Sequence, residues 1–466
     1  MGGISRRGAF AFSGLTIWLL ALAFVRPLSV DESQYVAASA LTAHGLLPYR
    51  DYAYLQTPLQ PFVFAPLHLL FPGHLLLAIR LANALIGAAT AVLVYLTARR
   101  IGASERAALI AAALLVTCQS FAWSVGVARN DMLPALLMML GLFAIAGGRS
   151  AFAGIALGLA AGAKISYAVP AAAVFVAIVC TDRKSARWFA VGVAIGLLPS
   201  LILIGLAPQA FLAEAIVFPA TAPAQYYASI GKAWRLGPAR FGQLLMTAAI
   251  GPALIAAMEV ARRNMWRDPL RRTMLAAAIG GLVSAAVNKP FQIFYLLPAL
   301  PPLFVLAALL FDQPRPRWLT GAWGLFVLSG LVPVAGWFVK ASQGVPALDA
   351  ERRTHVLAAA LHEQHVEGPV ATLAGQYVAK VDPRFAGGPF LYRTRGFLSR
   401  EQAREWHVVT KEEPGTLAET SPSAFVSGSY PDVQPAEELE LAAQARALGY
   451  RPTGTAEGFT IWTRRP

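Results

Sequence analysis

Nine stretches of this chain, each close to 20 residues long, are almost free of charge, and that is the length a helix needs to cross a lipid bilayer. They fall at roughly 8–28, 78–98, 107–127, 131–148, 188–206, 240–260, 273–288, 290–311 and 318–339. The composition agrees: 56% of residues are hydrophobic and 14% charged, whereas a soluble domain carries roughly 25% charged residues. A further apolar segment between Arg149 and Arg183 is interrupted midway by Lys164. If it forms two spans, 150–163 and 165–181, the basic clusters Arg6/Arg7, Arg99/Arg100/Arg106, Arg149, Arg183/Lys184/Arg187, Arg262/Arg263/Arg267/Arg271/Arg272 and Arg315/Arg317 share one side. That places about 16 Lys and Arg inside against about 9 outside, as the positive-inside rule requires. If it forms one span, the last two clusters face outward. The expectation is a polytopic α-helical membrane protein with about eleven transmembrane helices, a cytoplasmic N-terminus and an outer C-terminal segment.

The formal net charge of +14 is unevenly spread. Residues 1–339 hold about 25 Lys and Arg against about 10 Asp and Glu, and the remainder is close to balanced. Basic charge therefore belongs to the membrane part, where it orients helices, and nucleic acid is excluded as a partner. Two cysteines, Cys118 and Cys180, supply neither a disulfide framework nor a metal site. The first apolar run is followed by FVRPLSVDE rather than a small-residue cleavage site, so it reads as a retained anchor.

Two outer loops are long. In the first, 29–77, residues Glu32 to His44 have helical spacing that Gly45 and Pro48 stop. The stretch PLQPFVFAPLHLLFPG is too short and proline-broken to span, and reads as an interfacial or re-entrant helix. The other, 207–237, is rich in Pro and Tyr and ends in Lys232, Trp234 and Arg235. From residue 340 the composition becomes that of a soluble protein. VATLAGQYV, EWHVVT, SAFVSGS and GFTIWTR read as strands, and ALDAERRTHVLAAALHEQHV and AEELELAAQARALGY as helices. Residues 1–339 thus form a membrane domain, and 340–466 a small α/β domain expected in the periplasm.

Ionisable groups at membrane depth are expensive and mark working sites. Asp31 and Glu32 stand behind the first span. Asp31 with Gln34 also matches a helix N-cap and its capping-box partner, and a carboxylate fixed at a helix start is equally well held for catalysis. WSVGVARNDMLPALLMML places Asp131 at the start of the fourth span with Arg129 two residues earlier. Here too an N-cap with a surface counter-ion is the plainer alternative. Lys164 either snorkels to the interface or offers a point charge to a phosphate. In NKPFQIFYLLPALPPL, Lys289 and Gln292 lie at the outer mouth. Tyr295 follows, either in an aromatic belt or in a site, and the prolines predict a broken helix covered by protein or lining a cavity. Transport pathways spread ionisable groups through the midplane, whereas these gather at one outer face.

The pieces DESQY, GLLPYRDYAYLQTPLQP, LAIRLANALIG, VARNDMLPALL, GLAAGAKISYAVP and YLLPALPPL, in that order over most of residues 26–311, resemble the C-type (GT-C) glycosyltransferase superfamily. The likeness is to the branch of protein O-mannosyltransferases and lipid A aminoarabinose transferases. The resemblance implies a polyprenyl-phosphate sugar donor in the outer leaflet and inverting attack by an acceptor hydroxyl of an envelope glycan, lipid or protein. It implies Asp31 as the general base and Asp131 as the second acid, orienting the acceptor or helping to hold a divalent cation with Asp31. Tyr295 would face the lipid phosphate; Glu32 and Arg129, from their place at the same outer mouth, are expected to contact substrate. Relatives often carry Lys-Pro-Pro in the first loop, where this chain has Gln56-Thr57-Pro58. Lys164, Lys232, Arg235 and Lys289 are the candidates to replace that lysine. The expected function is an inverting membrane glycosyltransferase of the bacterial inner membrane. A multi-pass transporter or lipid flippase, and a non-catalytic outer-face binding protein, are the alternatives.

Overall fold

A computed structural model describes residues 5–394, 396–428 and 435–464. Every expected apolar segment is helical in it. Five helices, Arg6–Val25, Leu75–Arg100, Arg183–Leu206, Pro269–Val287 and Arg317–Ala341, are long and apolar enough to cross a membrane on their own. Met132–Ala146, Ser150–Ala163, Ile165–Val179 and Ile293–Ala308 are shorter apolar helices. Lys164 does separate two helices, because its extended backbone (φ −155°, ψ 120°) interrupts the helical path.

Two segments expected as continuous spans are broken instead. Glu105–Val116 and Gln119–Val125 meet at 70°, and Ala239–Ala249 and Ala253–Ala261 at 96°. Gly251 (φ +105°) and Pro252 turn the second pair, since a proline cannot continue the hydrogen-bond ladder. The two breaks lie against each other and share their freed backbone groups. Gln119 N donates to Ile250 O (3.3 Å), and Ser329 Oγ accepts from Gly251 N and donates to Ala249 O (both 3.0 Å). Such breaks persist in lipid only where neighbours satisfy the backbone in this way. The proline-rich segment is broken as expected, with a 3₁₀ turn at Ile293–Ala299 leading into helix Leu300–Ala308.

Ser150–Ala163 and Arg183–Leu206 approach through a glycine seam. Gly154 and Gly158 face Gly192 and Gly196, and a Cβ on Gly154 would lie 2.0 Å from Phe189 O, one on Gly192 2.1 Å from Ala151 O. Small residues four apart allow this close packing, which replaces hydrophobic driving force inside a bilayer. The opposite sides of the outermost helices expose Trp188, Ile195, Ile202, Leu325 and Val332, a surface that suits lipid and not water.

The first long loop forms helices Glu32–Ala43 and Leu59–Leu70, joined by a buried turn containing Tyr49, Tyr52 and Tyr54. Phe62, Val63, Leu69 and Leu70 stay exposed along the second helix. The second long loop is helical almost throughout, including Phe218–Ser229 and a π-helical turn at Leu212–Val217. Beyond residue 340, helix Pro346–Glu363 leads into a four-stranded sheet. Its strands are β1 (Val370–Ala371), β2 (Ala424–Gly428), β3 (Arg451–Ala456) and β4 (Phe459–Thr463), ordered β1-β2-β4-β3. β1 runs parallel to β2, and the other pairings are antiparallel. EWHVVT is not a strand: Val408 and Val409 are buried by packing, outside the sheet. RPTGTA, without apolar alternation, is one, because it pairs with β4 across a short turn. One apolar core joins this domain to the first loop, with Tyr35, Tyr49 and Leu76 packed together with Leu373, Tyr377 and Phe425.

Gly192→Val should separate the seam and destabilise the protein by about 1–3 kcal/mol or more, read as a lowered thermal midpoint in detergent. Gly14→Val, where a Cβ meets nothing within 4 Å, should leave that midpoint unchanged.

Candidate active site

The site is built on the six-residue turn 126–131 between helices Gln119–Val125 and Met132–Ala146. Arg80 and Asn83, one turn apart on helix Leu75–Arg100, reach it from the same face. Asn83 Nδ2 donates to Val127 O (2.8 Å) and Arg129 O (2.9 Å). Asn130 Nδ2 donates to Ala163 O (3.1 Å), and Glu32 Oε1 accepts from Ala128 N (2.7 Å).

Glu32 and Arg80 are both fully buried and form a bidentate pair, with both contacts at 2.7 Å. The guanidinium also donates to Ala23 O, Arg26 O and Pro27 O at the end of the first helix, and Glu32 accepts from Ser29 N (2.8 Å). Glu32 was expected to contact substrate. Its oxygens are occupied by the scaffold, so it positions Asp31 and the 126–131 turn instead.

Asp31 precedes helix Glu32–Ala43 in helical conformation (φ −62°, ψ −26°), and its side chain makes no capping bond. It pairs with Arg129 Nη1, and 24% of its side chain remains exposed. Asp131 likewise makes no cap. Its Oδ2 takes Arg129 Nε at 3.0 Å, and its Oδ1 takes Lys164 Nζ. The capping reading of both aspartates therefore gives way to ion pairing. Arg129 is no surface counter-ion: it is buried, with its guanidinium 3.8 Å from the Phe294 ring centre and 5.2 Å from that of Trp123. Nor does Lys164 snorkel. It is buried, with Nζ 4.7 Å from the Phe294 ring and 5.7 Å from that of Tyr295. Carboxylates and cations alternate along Asp31–Arg129–Asp131–Lys164 under an aromatic roof.

Around this row stand the remaining candidates. Tyr295 packs against Phe294 (4.7 Å between ring centres). Gln292 Nε2 and Arg235 Nη1 both donate to Tyr227 Oη, at 3.1 and 3.2 Å, so Arg235 joins the Gln292–Tyr295 turn through that hydroxyl. Lys232 and Lys289 are exposed beyond it. Gln56-Thr57 uses neutral hydrogen bonds, Gln56 Oε1 with Asn130 (3.4 Å) and Thr57 Oγ1 to Ala161 O (3.0 Å), which tie the first loop to the 126–131 turn and to the last turn of the helix that ends before Lys164. Glu214 accepts from Tyr54 N at 2.8 Å and pins the second loop to the first. Burial pushes its carboxyl well above the usual range, and the amide bond only partly offsets that. Arg80, Asn83, Trp123, Tyr227 and Phe294 were not singled out from the sequence. An arginine within an apolar span was the one readable signal among them.

A divalent cation at Asp31 and Asp131 does not fit this donor set. Both Asp131 oxygens and the Asp31 carboxylate already face Arg129 or Lys164, and an ion there would have to displace two positive side chains. Glu32→Ala, which strands Arg80 in the interior, should cost about 3–5 kcal/mol of stability. The thermal midpoint in detergent checks this, and Asp31→Asn should lower it less.

The fold and family follow from comparison. A search of curated proteins gives no match. The crystal structure of ArnT from Cupriavidus metallidurans bound to undecaprenyl phosphate superposes with a TM-score of 0.63 at 16% identity, covering 99% of this chain and 100% of that one. The apo form of that protein gives a TM-score of 0.59 at 17% identity, over 98% and 99% of the two chains. The mycobacterial arabinofuranosyltransferase AftD gives 0.54 at 16% identity, over 100% of this chain and 40% of its own. These likenesses establish a shared GT-C fold. The profile of Glycosyltransferase family 87 matches residues 54–288, about half of the sequence. The chain is a membrane glycosyltransferase and belongs to glycosyltransferase family 87.

Proposed function

We propose that this enzyme moves a sugar, with inversion, from a polyprenyl-phosphate donor to an acceptor hydroxyl at the periplasmic face of a bacterial inner membrane. The proposed topology has about eleven spans, the N-terminus in the cytoplasm and residues 340–466 as a periplasmic domain. The observation that carries the reading is the row Asp31–Arg129–Asp131–Lys164, in which Asp31 keeps its side chain partly exposed (24%) while Asp131 is buried. An acceptor hydroxyl reaches only the exposed end of that row.

In the proposed step the acceptor oxygen attacks the anomeric carbon and gives its proton to Asp31. The bond from that carbon to the phosphate oxygen breaks, and polyprenyl phosphate leaves with the electron pair. A general base must be ionised and within hydrogen-bond reach of the hydroxyl, and Arg129 holds Asp31 in place for that. Two carboxylates and two cations make the row neutral overall, so Lys164 needs donors from outside the row beside it to hold the donor phosphate. Lys164, Arg235 and Tyr295 are proposed to face it, where cations and hydroxyls lower the barrier by stabilising the departing anion. Lys164, which follows Ala163, whose carbonyl accepts from the same Asn130 amide that bonds Gln56, is the proposed stand-in for the first-loop lysine, with Lys232 and Lys289 at the rim. The undecaprenyl phosphate bound to ArnT supports a lipid carrier of that chemical class.

Mass spectrometry of envelope lipids, glycans and proteins from cells with and without this chain should reveal a lost sugar, restored by the wild-type gene. Asp31→Asn should reduce its transfer by about 10²–10⁴-fold at equal protein in the membrane. Restoration by Asp31→Asn at the wild-type rate would rule out this base. Arg235→Ala should weaken donor use and leave the turnover of saturated enzyme closer to normal.

A further inference from the structure

Away from the transfer site, one side-chain cluster joins the two parts of the molecule. His74 stands just before helix Leu75–Arg100, at the end of the first loop. Glu351 and His355 lie one turn apart on helix Pro346–Glu363, in the C-terminal domain. His74 Nδ1 is 2.6 Å from Glu351 Oε2, and His355 Nε2 is 3.8 Å from the same oxygen. One potential ligand atom from each of the three residues lies within 4.8 Å of the other two. The imidazole rings are 4.7 Å apart between centres. Gly73 (φ +81°) turns the chain beside the His355 ring, where a Cβ would lie 3.5 Å from Cε1.

Hydrogen bonding accounts for only part of this arrangement. Glu351 Oε2 bonds His74, while His355 Nε2 lies beyond hydrogen-bond reach and still points to the same oxygen. A metal ion uses all three. Zinc binds imidazole nitrogen at about 2.0–2.1 Å and carboxylate oxygen at about 2.0–2.2 Å, so its tetrahedral ligands stand slightly over 3 Å apart. The two observed separations bracket that spacing. Both histidine side chains are about half exposed (52% and 51%) while Glu351 is nearly enclosed (11%), so small imidazole rotations would close the site around a fixed carboxylate. Two imidazoles with one carboxylate suit zinc rather than magnesium or calcium, which favour all-oxygen sets.

We propose that His74, Glu351 and His355 bind one zinc ion, with water in the fourth position, and that this ion clamps the C-terminal domain to the start of helix Leu75–Arg100. The inference concerns attachment of the domain and is independent of the proposed sugar transfer. The helix it grips carries Arg80 six residues further on, so the clamp also bears on the element that positions the 126–131 turn.

The test uses the full chain in detergent, free of any histidine tag, stripped with chelator and titrated calorimetrically with zinc chloride. One ion per chain is expected, with a higher thermal midpoint and slower proteolysis at residues 342–345, which connect helices Arg317–Ala341 and Pro346–Glu363, in the zinc-loaded protein. His74→Ala and His355→Ala should each weaken binding by roughly tenfold or more, and the pair of changes should abolish it. His355→Gln gives a milder change should alanine disturb folding, and cobalt loading should give visible tetrahedral bands that any of these variants loses. Absence of stoichiometric binding to wild-type protein, or binding that survives replacement of both histidines, would overturn the proposal.

Discussion

The buried pair of Arg80 and Glu32 is the contact on which the geometry of the candidate active site depends. Removing two charges from water costs several kcal/mol per ion, and only near-complete hydrogen bonding offsets that cost. Here it is nearly complete: the guanidinium holds the carboxylate and three carbonyls at the end of the first helix, and the carboxylate holds the amides of Ser29 and Ala128. Three segments distant in sequence are thereby set to one another, namely the end of the first helix with the loop start that follows it, helix Leu75–Arg100 and the 126–131 turn. Neighbouring acids take opposite tasks through their surroundings alone. Glu32 is saturated by the scaffold, and Asp31 is left partly open beside it.

The same economy of charge shapes the row from Asp31 to Lys164. Each aspartate is met by a cation, each cation is met by an aromatic face, and the row carries no net charge. Aromatic faces stabilise a desolvated cation by about 2 kcal/mol or more, which helps to explain how Arg129 and Lys164 remain buried. Pre-set donors of this kind need no reorganisation when negative charge arrives.

Much of the molecule was legible in the sequence because membranes make charge conspicuous. Asp31, Asp131 and Lys164 stood out against apolar flanks, and Lys164 marked a true interruption. Arg80 was passed over because a single arginine disappears into the average of a 26-residue apolar helix. Phe294 and Trp123 were invisible for the opposite reason, since aromatic residues are common wherever lipid meets water. The helix breaks near Cys118 and Gly251 depend on each other and on Ser329 of a third helix, a relation no local window contains. His74 and Glu351 are separated by 277 positions, and their meeting follows from tertiary packing alone. In the C-terminal domain, a polar stretch became a strand through its partner, and an apolar one did not.

The apolar core shared by the first loop and the C-terminal domain has a bearing on how material enters and leaves. With Tyr35 and Tyr49 embedded among Leu373, Tyr377 and Phe425, the domain is no flap hung on a flexible tether. Swinging it aside would wet several aromatic rings at once, each worth about 1.5–3 kcal/mol of burial. Traffic at this end of the molecule would therefore run sideways, through gaps between helices or along the lipid surface, beneath a roof that stays shut.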